Sequence, residues 1–205
     1  DHPILIYKKQ KQRNSAKSIK LIYKDSLPVF VPAKDVKRGD LIVCPRPKAE
    51  ETISEISIKD YLVNFIEEDS CITNVNKKHR INKTIKLDFN FGKLIGYLIS
   101  DGCINKRSIS LFFGTNEIRF VEDVINIIYE KFGVKASFCK NKTSNMFVVS
   151  CSSTIISNFF DRFMWSNINK HIPKEIWMSS DYCRMGVLAG LVRGDGCYKK
   201  NTVAI

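Results

Sequence analysis

Two acids are the first candidates for chemistry in this chain. Asp101 and Asp195 are each followed by glycine, and each closes an apolar run of helical length. The first run reads GKLIGYLISDG from Gly92 to Gly102, the second GVLAGLVRGDG from Gly186 to Gly196, and the acids lie 94 positions apart (195 − 101). An acid in the last turn of a helix sits where the helix dipole already presents partial negative charge. Two such acids side by side repel one another unless a cation lies between them. Hard divalent cations, Mg²⁺ above all, take carboxylate oxygens and keep positions open for water and phosphate. Paired acids holding such ions suit in-line cleavage of a phosphodiester.

The elements that must bring the acids together are the runs themselves. Small residues recur every fourth position, Gly92, Gly96 and Ser100 in one and Gly186, Gly190 and Gly194 in the other. That spacing puts them on one helical face, which becomes a groove almost without side chains. An interior glycine costs a helix about 1 kcal/mol relative to alanine. Packing the two grooved faces together offsets that loss, because side chains are what hold ordinary helix pairs roughly 8–10 Å apart. Gly102 and Gly196 fall where a helix C-terminus takes a left-handed residue. The expectation is a pair of helices crossing on their small-residue faces, with Asp101 and Asp195 at one shared end.

LIGYLISDG and LAGLVRGDG resemble the nine-letter motif of the LAGLIDADG homing endonucleases. The resemblance implies an α+β fold: a first half-domain over residues 88–178 and the start of a second copy over 179–205, with the motif helices on a pseudo-twofold axis. It implies Mg²⁺ or another divalent cation as cofactor, double-stranded DNA as partner, and Asp101 and Asp195 as metal-binding and catalytic acids. In the family a curved sheet lies in the DNA major groove, where base edges are distinguishable. The outward polar residues it points to are Asn105, Arg107, Ser110, Lys135, Ser137 and Asn145. Lys106, Lys140 and Lys142 are placed for phosphate contacts, which position without specifying sequence. His171-Ile172-Pro173 resembles the family's approach to its second motif helix.

The first 50 residues read differently. Ile4–Tyr7, Ile19–Tyr23, Pro28–Val31 and Leu41–Cys44 are short apolar strands, with Lys8–Ser18 a basic loop and Gly39-Asp40 a tight turn. Asp1-His2-Pro3-Ile4-Leu5 and VPAKDVKRGDLIVCPR resemble two blocks of the Hint splicing domain of inteins. That resemblance implies a partial splicing domain over 1–50, host-protein exteins as partners, and a catalytic His2 that assists the N-terminal acyl shift. Residues 51–87, with the basic cluster Lys77-Lys78-His79-Arg80, read as a charged linker carrying one short helix between Ile58 and Ile66.

Composition agrees with a nucleic-acid partner. The 205 residues hold 33 lysines and arginines against 21 acids, a net charge of +12, which suits a polyanion. Seven scattered cysteines form no C-x-x-C pair, and the three histidines are dispersed, so free thiols in a reducing, cytoplasmic compartment are expected and a zinc site is not. No apolar run approaches the ~20 residues of a membrane span, and no membrane partner is expected.

Between the motifs, Asn90 is the expected cap of the first motif helix and Ser179 or Ser180 of the second. Ile104–Phe113 reads as a strand, Glu117–Phe132 as a helix closed by Gly133, Val134–Lys140 and Met146–Cys151 as strands, and a helix runs from Ser153 or Thr154 to about Phe163. Phe159, Phe163, Trp165 and Trp177 are expected in the core. A complete second half-domain needs on the order of 50 more residues than follow Asp195 here, so these 205 residues alone are expected neither to splice nor to cut. The functional alternatives are an RNA-binding maturase on the same fold and an intein whose endonuclease has decayed.

Overall fold

A computed structural model of the chain describes residues 2–8, 10–15, 18–22, 27–43, 52–75, 79–141, 145–166, 169–195, 197–199 and 202–204. They fall in two units, Asp1–Lys48 and Ala49–Ile205.

In the first unit β1 (Pro3–Tyr7) is followed by a hairpin of β2 (Gln10–Ser15) and β3 (Ser18–Ile22). β4 (Val29–Pro32) and β5 (Leu41–Ile42) then pair with β1 from either side, giving an antiparallel sheet of order β4-β1-β5. Ile6 and Val31 are its buried side chains. The turn before β5 forms as expected, with Gly39 at φ 98° and the Lys37 N–H donating to Asp40 Oδ2 at 2.8 Å. The basic stretch read as a loop is in part the strand β2. A hairpin satisfies its backbone groups by pairing alone and needs no apolar alternation to announce it.

The second unit begins with short strands: β6 (Glu55–Ser57), β7 (Ile66–Glu67), β8 (Cys71–Thr73), β9 (Arg80–Asn82) and β10 (Thr84–Lys86). β6 pairs with β10, and β7-β8-β9 form a second small sheet. The segment read as a linker is therefore structured, and Ile56, Ile58, Ile72, Ile81 and Ile85 join the main core. Strands of three residues are too short for alternation to show against so many charges. The helix expected between Ile58 and Ile66 stops after one 3₁₀ turn, Ile58–Tyr61, and Asn64 at φ 60° takes the chain out of the helical region.

The core unit follows. Helix α1 (Phe89–Ser100) leads into β11 (Gly102–Asn105) and β12 (Ser108–Gly114), helix α2 (Ile118–Phe132), β13 (Ser137–Asn141), β14 (Met146–Cys151) and helix α3 (Thr154–Met164). The four strands make one antiparallel sheet of order β11-β12-β14-β13. Its inner face, Ile109, Leu111, Phe113, Val149 and Cys151, is buried with α1, α2 and α3. Phe91, Phe132, Phe159, Phe160 and Phe163 pack ring against ring between the helices. The single strand expected over Ile104–Phe113 is two strands. Asn105 Oδ1 accepts from the N–H groups of Arg107 and Ser108, both at 3.0 Å, and so closes a hairpin at Lys106–Arg107. α2 ends as read, on Gly133 at φ 67°.

The cap of α1 is Asp88, not Asn90: Asp88 Oδ1 accepts from the Phe91 N–H at 3.0 Å, while Asn90 reaches across to Glu130. A two-residue ladder of β15 (Trp165–Ser166) with β16 (Asn169–Lys170) and a one-turn helix α4 (Lys174–Trp177) lead to α5 (Asp181–Gly194), which Ser180 caps. Trp177, expected in the core, is 52% exposed at the end of that single turn, and Trp165 is half-buried. A hairpin of β17 (Cys197–Lys199) and β18 (Thr202–Ala204) follows. Its pairs, Cys197↔Ala204, Tyr198↔Val203 and Lys199↔Thr202, repeat those of β11 and β12, Cys103↔Ser110, Ile104↔Ile109 and Asn105↔Ser108, each 94 residues on (197 − 103). No helix among the described residues is long and apolar enough to cross a membrane.

Candidate functional site

The site grows from the crossing of α1 and α5, the most extensive helix contact among the described residues. A Cβ on Gly92 would collide with the Cys183 carbonyl, and one on Gly186 with the Phe89 carbonyl. One on Gly96 would collide with the Val187 carbonyl, and one on Gly190 with that of Lys93. Each pair maps onto the other by the same 94-residue step, so the contact is self-complementary, as across a twofold axis. The four glycines forgo about 4 kcal/mol of helix preference, and backbone-to-backbone packing is what they obtain for it.

The crossing delivers the two acids. Asp101 and Asp195 cap α1 and α5, each with its N–H on a carbonyl four residues back, Tyr97 and Leu191, both at 3.0 Å. A Cβ on Gly194, the residue before Asp195, would strike Ser100 Oγ and Asp101 Oδ2. The Asp101 carboxyl therefore lies against the last turn of the opposite helix. Burial pushes it above the ordinary carboxylate range; the charges of Asp195 and Glu117 add to that, while the Ser100 hydroxyl and Lys170 oppose it. Gly102 is not the left-handed cap it was expected to be; it opens β11, and its lack of a side chain serves space, since a Cβ there would meet the Leu98 backbone. Gly196 lies outside the described residues.

Two further groups belong to this junction and carried no signal in the sequence. Lys170 donates through Nζ to the carbonyls of Ile99 at 3.0 Å and Gly102 at 2.6 Å, at the negative end of α1. Burial lowers its pKa, and the nearby Cys103, Asp101 and Asp195 hold it up. Asp123, from α2, accepts from Lys93 Nζ at 2.8 Å, the Tyr97 hydroxyl at 3.2 Å and Arg193 at 3.1 Å, so one carboxylate ties α2 to both motif helices. Burial, foremost, pushes the Tyr97 phenol up to about 12. Partners 68 and 71 residues away for Lys170, and 26, 30 and 70 away for Asp123, leave no periodic trace in sequence.

The residues expected to meet DNA separate by register. Asn105, Ser110 and Ser137 stand on the outer face of the sheet, opposite the helices. Lys106 and Arg107 occupy the exposed β11–β12 turn, Lys135 is exposed before β13, and Asn145 precedes β14 at φ 49°. Lys140 is exposed on the edge strand but pairs with Phe147, on the inner-face side. Lys142 lies outside the described residues. His2 is exposed in the first unit, its carbonyl accepting from the Ala33 N–H at 2.9 Å. Among the described residues no three His, Cys, Asp or Glu side chains gather as a metal cluster. What the chain offers a cation here is a pair of carboxylates, a set suited to a hard ion that keeps water and phosphate among its ligands.

Residues 88–164 match the model of the LAGLIDADG-like domain. The chain is 30% identical over 174 residues to Uncharacterized protein MJ1054 of Methanocaldococcus jannaschii, covering 79% of this chain and 18% of that protein. It is 28% identical over 171 residues to Uncharacterized protein MJ0043 of the same organism, covering 81% and 21%. DNA-directed RNA polymerase subunit Rpo1C of that organism is 24% identical over 188 residues, covering 86% and 21%. The chain thus spans about a fifth of the length of the curated relatives it matches. It is a mixed α/β chain whose residues 88–164 are similar to the LAGLIDADG-like domain.

Proposed function

We propose that this chain is part of an intein-borne homing endonuclease that cuts double-stranded DNA at a specific site with Mg²⁺ or another divalent cation. The observation that carries the reading is the reciprocal glycine crossing, which brings Asp101 against the end of α5 beside Asp195. α5 with β17 and β18 is then the start of a second half-domain, a reading supported by the shared 94-residue step in helix contacts and strand register (204 − 110). The intein setting is supported by the Hint-like blocks around His2 and Arg38-Gly39-Asp40, and by alignments that take most of this chain and a small part of long relatives, one of them named as an RNA polymerase subunit. In that setting His2 assists the acyl shift at a splice junction, and the host-protein segments are its exteins.

Asp101 and Asp195 would hold the cation, and their mutual repulsion is the reason the site takes one. When bound, such an ion supplies Lewis-acid stabilisation of phosphoryl oxygens and lowers the pKa of water. The chain's own part is positional: the glycines fix the distance between the acids, Asp123 holds both motif helices to α2, and Lys170 adds positive charge beside the carboxylates.

The test is incubation of the full-length protein with genomic and randomised duplex DNA in Mg²⁺. Site-specific double-strand breaks that vanish in Asp101→Asn and Asp195→Asn support the endonuclease. RNA folding assistance that survives both substitutions, with no DNA cut under any condition, replaces it with the maturase. Splicing without cutting replaces it with the decayed intein.

A further inference from the structure

The outer face of the four-stranded sheet is not the hydrogen-bonding surface its serines and asparagines suggest. Strand register sets Phe112, Val148 and Cys139 in one row across β12, β14 and β13. The neighbouring row is serine on the same three strands, with Cys103 beside it on β11, and the serine hydroxyls are engaged within the protein. Ser110 Oγ and Ser150 Oγ bond to each other at 3.2 Å, and Ser137 Oγ donates to the Ser150 carbonyl at 3.4 Å. Asn105 Oδ1, at the end of the face, already takes three donors. Among the described residues this face carries no lysine, arginine, aspartate or glutamate; Lys106, Arg107, Lys135 and Lys140 stand exposed around its margins instead. Phe112 keeps 38% of its surface exposed, an apolar ring at the centre of a neutral face within a basic rim.

Resting on the endonuclease reading above, we propose that this row recognises thymine in the major groove through the C5-methyl group. A basic margin around an uncharged centre complements duplex DNA, with phosphates outside and base edges inside. Of the four bases only thymine presents an apolar group there, and phenylalanine is among the side chains that meet it. Adenine, guanine and cytosine present donors or acceptors there and no methyl group to set against the apolar row. The sheet therefore favours thymine at the positions under Phe112, Val148 and Cys139, with lysines and arginines at the rim setting the register on the backbone.

The experiment is selection of duplexes from a randomised DNA pool by the protein without divalent cation, so that bound DNA is not cut. Each enriched thymine is then replaced by uracil, which removes the methyl group and leaves the base pair unchanged. Burial of one methyl corresponds to roughly a fourfold change in affinity, so the expected result is thymine enrichment and about a fourfold loss for each methyl removed. Phe112→Ser should abolish that discrimination at the position under residue 112 while retaining salt-dependent binding. Uracil duplexes that bind as well as thymine duplexes overturn the methyl readout and leave DNA binding standing. No retention of any duplex overturns both readings.

Discussion

Gly96 and Gly190 meet at the crossing of the two motif helices: a Cβ on either would lie 2.8 Å from the other's Cα. No side chain fits there, and the separation of the helices, hence of the acids at their ends, is set by backbone alone.

Gly96→Ala and Gly190→Ala should each destabilise the chain, although alanine is the better helix former by about 1 kcal/mol. Forcing a methyl against backbone costs about 1–3 kcal/mol, and the collision here is with carbonyls that cannot turn away. A melting temperature lower by several degrees is expected, at roughly 2–4 °C for each kcal/mol in a chain of this size. A rise on either substitution would mean the helices are free to separate.

Asp123→Ala should cost on the order of 2–3 kcal/mol in urea unfolding, less than the roughly 3–5 kcal/mol of breaking a fully buried ion pair because Asp123 is partly exposed. The loss leaves Lys93 buried with no carboxylate and releases Tyr97 and Arg193 as well. Asp161, on an exposed position of α3, is the comparison; Asp161→Ala should stay within about 0.5 kcal/mol of the parent.

The raised Asp101 carboxyl predicts the sign of a pH dependence. The folded chain holds this proton more tightly than the unfolded chain, whose carboxyl titrates near about 3.9. Its contribution to stability is therefore present below that value, is lost as pH rises through the folded value, and stays lost at neutrality. In metal-free buffer Asp101→Asn should raise the melting temperature at pH 7 and flatten the fall above the ordinary carboxylate range. Identical profiles for the two proteins would remove the electrostatic argument.

Lys170→Met should lower cutting by the full-length protein at least tenfold while changing stability by about 1 kcal/mol, the scale of a cation at a helix C-terminus. Parallel kinetics and thermal melts separate the effects. Full activity in the Met variant would leave Lys170 as a structural cap alone.

The sequence disclosed the part of the site that is written locally. The small-residue ladder from Gly92 to Ser100, its echo from Gly186 to Gly194, and the acid ending each are visible because helical spacing is a short-range pattern. The strand pairings were less legible: the β11–β12 turn rests on a single asparagine, Asn105, and β6 to β10 are too short to show a period. The roles of Lys170 and Asp123 were illegible, since each acts on residues brought near only by the fold. On the outer face of the sheet the sequence shows Ser110 and Ser137 as polar, but not that their hydroxyls bond to neighbouring strands.

The most direct measurement is calorimetric titration of the protein with Mn²⁺ as a divalent probe, for the parent, Asp101→Asn, Asp195→Asn and the double variant. Two carboxylates serving one ion predict that either single substitution abolishes the binding isotherm and that the double variant is no worse than the singles. Unchanged binding in either single variant, or independent and additive losses, would mean that the crossing helices do not bring their acids to a common cation.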